Sequence, residues 1–426
     1  MLQLIQNEKI RETKDGKRVI VKKPELLAPA GSLEKLKIAV HYGADAVFIG
    51  GQEFGLRSNA DNFTIEEMRE GVEFAKKYGA VVYVTTNIFA FIENMTGLEE
   101  YLQAIEGAGV KGIIVADPLI IETCRRVAPK LEIHLSTQQS LSNWKAVKYW
   151  KEEGLHRVVL AREVGAEEMQ KMKEEVDIEI EAFVHGAMCI AYSGRCVLSN
   201  HMTARDSNRG GCCQSCRWDY DLYENKDGEE VPLFEEGDAP FAMSPKDLKL
   251  IESIPHMIEL GIDSLKVEGR MKSIHYVATV ISVYRKVIDA YCADPDNFQI
   301  KKQWLEELSR CAIRATASAF FESEPSYKQQ MFGFHASKPK WDFAGLVLDY
   351  DAETQMVTME QRNYFKPGDT VEFFGPDIET FQMTVGELWD EEGNELDVAR
   401  HPLQILKFKV DRPLYQYNMM RKENKK

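Results

Sequence analysis

Eight short apolar segments, most of them followed by an amphipathic stretch, recur along the first two thirds of this 426-residue chain. Most are apolar almost throughout and turn polar or glycine-rich at their C-terminal ends, which is typical of strands buried on both faces of a parallel sheet. Many of the amphipathic stretches end in glycine, which readily adopts the left-handed cap of a helix. The segments are ELLAPA (25–30), AVFIG (46–50), AVVYVTTN (80–87), GIIVADP (112–118), EIHLSTQ (132–138), RVVLAR (157–162), IEIEAFVHG (178–186) and SLKVEGR (264–270).

Eight regularly spaced strand–helix units favour an α/β fold of the closed (β/α)8 type, a TIM-like barrel, over a doubly wound open sheet. We predict an N-terminal extension over 1–23, the barrel over 24–335 with a cysteine-rich insert at 187–245 after the seventh strand, and a second domain over 336–426. Short alternating segments separated by turn signals such as KPGD (366–369) predict that this second domain is a small antiparallel β-barrel or sandwich. The final RKENKK is predicted to be a solvated tail.

Composition limits where the protein works and what it binds. With 44% hydrophobic and 28% charged residues, the chain is a typical folded protein, and its net charge of −15 argues against binding nucleic acid or anionic lipid over the whole surface. A local basic patch remains compatible with that charge. The N-terminus lacks the apolar core of a signal peptide, and no run approaches the roughly 20 apolar residues of a membrane span. We therefore predict a cytoplasmic protein with no membrane partner.

Five of the eight cysteines fall within 28 positions, and a cytoplasmic cluster of this kind more often binds metal than forms disulfides. Four thiolates could hold a 4Fe-4S cluster or a structural zinc. Zinc sites more often show two close Cys-x-x-Cys pairs, and only one is present, so the spacing favours the cluster. Buried thiols without metal are the remaining alternative. The five are Cys189, Cys196, Cys212, Cys213 and Cys216.

The sequence around these cysteines resembles a known family. EAFVHGAMCIAYSGRCVLS and NRGGCCQSCRW are similar to the signature of the collagenase-like peptidase family, as are ELLAPAGSLEKLKIAVHYGADAVFIGG and VEGRMKSIHYVATVISVYR. Some members are called peptidases, whereas better understood ones serve the hydroxylation of tRNA, of ribosomal RNA or of ubiquinone. The resemblance is strongest to the tRNA branch, which implies 5-hydroxyuridine formation at the wobble position with prephenate as the hydroxyl donor. It also implies a 4Fe-4S cluster on Cys189, Cys196, Cys212 and Cys216, with Cys213 competing with Cys212.

Two other functions remain open at this point. The chain has neither a His-Glu-x-x-His zinc motif nor a Gly-x-Ser-x-Gly nucleophile motif. A collagenase-like peptidase could still use His185 with Cys189, since a Cys–His dyad forms only in space, but this would remove Cys189 from the cluster. The third possibility is a scaffold that carries a cluster for a partner enzyme. A partner protein or a homo-oligomer is compatible with each function.

Polar residues at the strand ends are predicted to line the barrel mouth, where TIM-like enzymes have their active sites. His185 and Glu268 are the acid/base candidates. A prephenate-like substrate carries two carboxylates, which planar guanidinium groups bind through paired hydrogen bonds. The predicted substrate-binding residues are Arg57, Asn87, Gln138, Arg162 and Arg270.

Four arginines near the cysteines are predicted to contact tRNA phosphates, with ion pairing inside the protein as the alternative. They are Arg195, Arg205, Arg209 and Arg217. Tyr192, His201 and Trp218 could stack on an unpaired base.

Overall fold

The structure is a computed structural model that describes residues 9–13, 16–56, 62–218, 220, 223–226, 229–232, 244–322, 324, 326–331 and 340–424. Arg57, the predicted domain boundary at 335/336 and part of the predicted insert lie outside these ranges.

A closed barrel of eight parallel strands forms the larger domain, which confirms the predicted fold. The barrel closes because the eighth strand pairs in parallel with both the first and the seventh. Each of the eight apolar segments contains one of these strands. They are β1 (Glu25–Pro29), β2 (Ala46–Gly50), β3 (Val81–Thr86), β4 (Gly112–Val115), β5 (Glu132–Leu135), β6 (Arg157–Val159), β7 (Glu179–Gly186) and β8 (Ser264–Val267).

Most helices pack around the barrel with their apolar faces buried, whereas α7 lies in the cysteine-rich insert. Local signals define their ends: Ser32 caps the first helix, and Thr64 with Glu67 forms a capping box at the second. The helices are α1 (Leu33–His41), α2 (Ile65–Lys77), α3 (Leu98–Gly107), α4 (Pro118–Val127), α5 (Trp144–Glu152), α6 (Ala166–Glu175), α7 (Leu198–Thr203), α8 (Ile254–Glu259), α9 (Ile274–Ala293) and α10 (Lys302–Cys311).

The barrel interior contains a buried ionic network as well as apolar side chains. Lys266 Nζ on β8 lies 2.7 Å from Glu181 on β7, and both side chains are almost completely buried. Arg157 on β6 pairs with Glu25 at 2.6 Å and with Glu181 at 3.3 Å. Such pairs satisfy one another, so removing any one member would leave an uncompensated buried charge.

The C-terminal domain is an eight-stranded antiparallel sheet with its own apolar core, which confirms the predicted antiparallel β-domain. Its last strand shows that the predicted solvated tail was wrong. Arg421 is fully buried and pairs with Glu372 of the sheet and Glu307 of α10. The strands are β9 (Trp341–Asp351), β10 (Met356–Gln361), β11 (Thr370–Gly375), β12 (Ile378–Thr384), β13 (Leu388–Trp389), β14 (Glu395–Leu396), β15 (Ile405–Lys409) and β16 (Met419–Glu423).

Shorter strands complete the described structure. An N-terminal hairpin of Ile10–Glu12 and Arg18–Ile20 is tied to the barrel by Arg18, which pairs with Glu259 at 2.6 Å. A second hairpin joins Tyr223–Lys226 to Glu229–Pro232, and Asp247–Lys249 pairs with Thr316–Ala317. No helix in the described ranges is long and apolar enough to cross a bilayer.

Candidate functional site

The cysteine-rich insert leaves β7 and lies on the C-terminal end of the barrel. Ser193 fixes it there, because its backbone N–H donates to Glu163 at 3.0 Å and its hydroxyl accepts from the Arg162 backbone N–H at 3.3 Å. Gly194 packs so closely on the backbone of Gln138 that a Cβ at this position would lie 2.1 Å from the Gln138 carbonyl oxygen. The insert therefore covers the loops after β5 and β6, at the end of the barrel that carries active sites in this fold.

Three of the other insert thiols lie within electrostatic range of Cys216. Burial, together with the nearby thiols of Cys189, Cys212 and Cys196, raises the pKa of the Cys216 thiol to about 11. A thiolate next to other thiolates is unstable without a positive partner, which a metal centre would supply.

Cys213 faces a different environment from its neighbour Cys212. Its sulfur lies 3.2 Å from the Ser199 hydroxyl and 3.5 Å from the Thr203 hydroxyl, both on α7. These hydrogen bonds lower the pKa of the Cys213 thiol to about 7. The sulfur of Cys213 is thus engaged by α7, and the choice of Cys212 as the fourth ligand stays a prediction.

The donor set fits a 4Fe-4S cluster in number and chemical type. In the part of the chain that the structure describes, no three His, Cys, Asp or Glu side chains are grouped so that they could hold a single metal ion. In a cluster each of four thiolates binds a different iron, so the ligands need not approach one another as closely.

His185 and Glu268 lie where the insert leaves the barrel, but they differ in access. His185 is 7% exposed, and its Nδ1 is 3.2 Å from the Tyr284 hydroxyl, which donates to the Val184 carbonyl oxygen. Burial, together with the nearby Lys272 and Lys249, lowers the pKa of His185 to about 3, so the ring is neutral at physiological pH. Glu268 is half-buried and accepts a hydrogen bond from the backbone N–H of Ala187 at 3.1 Å. Their catalytic roles remain predictions.

Two of the predicted substrate-binding arginines can be compared directly. Arg270 is buried, donates to Thr85 at 2.7 Å and to Asn62 at 3.4 Å, and packs against the backbone of Gly50. Arg162 is half-buried with its guanidinium 3.7 Å from the Phe183 ring centroid. Within the described ranges, no carboxylate or hydrogen-bond acceptor engages the Arg162 guanidinium. Arg162 is therefore better placed than Arg270 to bind an anionic ligand.

The two predicted substrate-binding amides lie beside the insert. Asn87 donates from Nδ2 to the Ser136 hydroxyl at 3.2 Å, and its buried Oδ1 has no hydrogen-bond partner in the described structure. Gln138 is half-buried beneath Gly194.

The four predicted RNA-binding arginines fall into two pairs. Arg209 lies 4.2 Å from the Phe91 ring centroid and forms an ion pair with Glu93, and Arg217 is 3.7 Å from Asp247. The side chains of Arg195 and Arg205 are exposed, and Arg195 Nε donates to the Ser140 hydroxyl at 3.2 Å. Tyr192 and Trp218 are also exposed, at 65% and 43%. Exposed arginines and aromatic rings therefore share the surface of the insert.

Some residues of the barrel interior and of the surroundings of the insert were missed by sequence reasoning. Lys266 and Glu181 occupy alternate positions in SLKVE and IEIEA, a period-two signal that could have identified interior polar residues. Phe91 lies in the loop after β3, and Arg314 is brought near Cys216 from beyond α10; no local pattern marks either residue.

A charged cavity of about 650 Å³ opens at the opposite, N-terminal end of the barrel. Its cations are already paired with carboxylates: Lys22 with Glu179, Lys23 with Asp289, Lys111 with Glu132, Arg157 with Glu25 and Arg285 with Asp45. This end of a TIM-like barrel serves stability, so we do not assign the chemistry to it.

The fold and the site define a class of two-domain barrel proteins that carry a cysteine-rich site at the barrel mouth. The family model of Peptidase family U32 matches residues 31–331, and that of the Peptidase family U32 C-terminal domain matches residues 339–421. The chain belongs to peptidase family U32, which confirms the resemblance seen in the sequence.

Relatives in this family carry different names. The chain is 76% identical over 416 residues to tRNA hydroxylation protein P1 of Bacillus subtilis, covering 98% of this chain and 99% of the relative. It is 32% identical to tRNA hydroxylation protein P of Escherichia coli, covering 88% and 91%. It is also 33% identical to a protein of Porphyromonas gingivalis named collagenase, covering 85% and 89%.

Proposed function

We propose that this protein is an RNA-modifying enzyme that hydroxylates tRNA, forming 5-hydroxyuridine at the wobble position. The observation that carries the proposal is the group of four thiols at the barrel mouth, beside exposed arginines and aromatic rings. The similarity to tRNA hydroxylation protein P1 over nearly the whole chain supports tRNA as the substrate.

We further propose that Cys189, Cys196, Cys212 and Cys216 hold a 4Fe-4S cluster. When bound, the cluster would supply one-electron redox chemistry at the barrel mouth. The chain itself would orient the cluster through the contacts of Ser193 with Glu163 and of Gly194 with Gln138, which fix the first half of the insert on the barrel.

The small anionic substrate, prephenate in this proposal, would bind near Arg162. The guanidinium of Arg162 lies 3.7 Å from the Phe183 ring centroid, and no carboxylate in the described ranges pairs with it. A guanidinium that an aromatic ring holds in place and that has no carboxylate partner suits a carboxylate ligand.

The uridine would reach the site from a single-stranded loop. Chemistry on a base requires that the base be unstacked, and an anticodon loop already presents its bases in this way. Tyr192 and Trp218 could stack on the displaced base, while Arg195 and Arg205 contact the neighbouring phosphates.

Deleting the gene is expected to remove 5-hydroxyuridine and its derivatives from cellular tRNA. Mass spectrometry of digested tRNA measures this, with the wild-type gene restored on a plasmid as the control. Unchanged 5-hydroxyuridine, in a strain with no second gene of the family, would contradict the proposed function.

Two other results would favour the alternative functions. Digestion of gelatin or collagen by the purified protein would favour a peptidase. Hydroxylation that requires a second subunit would favour a scaffold.

Replacing Arg195 and Arg205 by alanine is expected to weaken tRNA binding and its dependence on salt. Two lost phosphate contacts should reduce the slope of log K against log salt by about 1.4 to 1.8. Filter binding across a salt series measures the slope. The matched control is Arg69→Ala with Arg400→Ala, which removes two exposed arginines from α2 and the C-terminal domain. Equal slopes in the two double variants would remove the insert surface from the RNA interface.

A further inference from the structure

Three cations surround one carboxylate beside the four thiols. The Asp247 carboxylate lies 3.4 Å from Arg314 Nε, 3.7 Å from Arg217 Nη2 and 4.0 Å from Lys272 Nζ. We call these four residues the Asp247 cation group. Their side chains are mostly buried, and that of Arg314 is only 7% exposed.

The fold assembles this group from four distant parts of the chain. Arg217 follows Cys216, Lys272 follows β8, and Arg314 lies beyond α10. The short strand Asp247–Lys249 joins them, because it pairs with β7 on one side and with Thr316–Ala317 on the other. The backbone N–H of Asp247 also donates to the Ala315 carbonyl oxygen at 2.9 Å. This pairing is what brings Arg314 to the thiol site.

Positive charge exceeds negative charge in this group. Within the described part of the chain, Asp247 is the only carboxylate within salt-bridge distance of Arg217, Lys272 or Arg314. Arg314 Nη2 donates to the Ser244 hydroxyl and to the Pro245 carbonyl oxygen. Its buried Nε faces Asp247 at 3.4 Å but forms no hydrogen bond with any residue that the structure describes. Buried charges are normally paired, so the surplus points to a negative partner that binds here.

The thiol group lies next to these cations, because Arg217 directly follows Cys216 in the chain. Arg314 and Lys272 share the Asp247 carboxylate with Arg217, so all three cations are held beside the predicted ligands. Bound to a metal centre, those thiolates would supply the missing negative charge.

We infer that the Asp247 cation group balances the negative charge of a 4Fe-4S cluster held by the four thiolates, with Arg314 as a positioning residue that raises the reduction potential of the cluster. This inference rests on the cluster of the proposed function. A cluster with four thiolates is negatively charged, and reduction makes it more so. A nearby cation stabilises the reduced state more than the oxidised one, and burial keeps this interaction from being screened. The negative charge of Asp247 has the opposite effect and lowers the reduction potential.

The test is the midpoint potential of the cluster in the full-length, anaerobically purified protein, titrated with redox dyes and followed by electron paramagnetic resonance. Arg314→Gln is expected to lower the reduced-to-oxidised ratio at the wild-type midpoint about tenfold, which is 59 mV for one electron. Asp247→Asn is expected to shift the ratio the other way. Two controls should have the midpoint potential of the wild type. Arg314→Lys keeps the positive charge at the same position, and Arg400→Gln removes a positive charge from the C-terminal domain.

Three outcomes would overturn the inference. Potentials that agree in wild type, Arg314→Gln and Asp247→Asn would reject it while leaving the proposed cluster in place. Unchanged potentials with weaker tRNA binding would assign the cations to RNA phosphates instead. A wild-type protein without iron and sulfide would reject both the cluster and this inference. If Arg314→Gln does not fold, the opposite shift of Asp247→Asn still decides the question.

Discussion

Replacing Cys216 by alanine is expected to remove the proposed 4Fe-4S cluster and abolish tRNA hydroxylation, whereas the same change at Cys213 is expected to leave both in place. Cys216 is half-buried near the thiols of Cys189, Cys196 and Cys212. Without the Cys216 sulfur, only three of the four proposed ligands remain. Three thiolates leave one iron of the cluster without a protein ligand. The Cys213 thiol is instead engaged by the Ser199 and Thr203 hydroxyls.

The two variants form a matched pair, because both lose one thiol from the same short segment. Iron and acid-labile sulfide should be about four each per chain in wild type and in Cys213→Ala, and below about one in Cys216→Ala. The visible spectrum of anaerobically purified protein and the 5-hydroxyuridine content of tRNA from complemented cells complete the measurement. The prediction fails if Cys216→Ala keeps its iron, or if Cys213→Ala loses as much as Cys216→Ala does.

The same pair separates the peptidase from the hydroxylase. A peptidase that used Cys189 and His185 would not need Cys216 at all. His185 is buried beneath the hydroxyl of Tyr284 and neutral at physiological pH. Peptide hydrolysis that survives Cys216→Ala but not Cys189→Ala would therefore favour the peptidase, and loss of RNA hydroxylation in both variants would favour the cluster.

The sequence was sufficient for the barrel because each strand carries its own local signal. Apolar runs with polar C-terminal ends located all eight strands, and Gly43, Gly79 and Gly154 have the positive φ that helix-ending glycines require. The cysteine-rich segment was also within reach, since cysteine spacing is visible in one dimension. The choice of four ligands came from the family resemblance and stays a prediction. The contacts of Cys213 could not be predicted, because they depend on the direction in which α7 presents Ser199 and Thr203.

Long-range pairing explains what the sequence did not predict. Arg314 reaches the thiol site only because Thr316–Ala317 pairs with Asp247–Lys249, a contact without a local signature. The charged C-terminal RKENKK was interpreted as a tail because its residues are polar. Its first residues instead complete a sheet between β9 and β11, where Arg421 becomes a buried ion-pair partner.

Replacing that arginine, as Arg421→Met, is expected to destabilise the protein by about 3 to 5 kcal/mol, the usual cost of leaving buried charges without their partner. Arg421 is fully buried and lies 2.5 Å from an oxygen of Glu307 on α10 and 2.5 Å from one of Glu372 on β11. Arg310 also pairs with both carboxylates and would remain, which places the expected loss at the lower end. Because Glu307 belongs to the barrel domain and Glu372 to the C-terminal domain, the loss should appear at the contact between them.

Urea unfolding of the full-length protein measures the stability, and hydrogen exchange of peptides covering 419–423 locates the change. Arg400→Met is the matched control, since Arg400 forms an exposed ion pair with Asp397 and its loss should cost less than about 1 kcal/mol. Adding Glu372→Gln to Arg421→Met should recover part of the stability, because the two carboxylates would otherwise share the single remaining cation, Arg310. If Arg421→Met costs no more than Arg400→Met, or the second change only adds to the loss, the buried ion pair does not join the two domains.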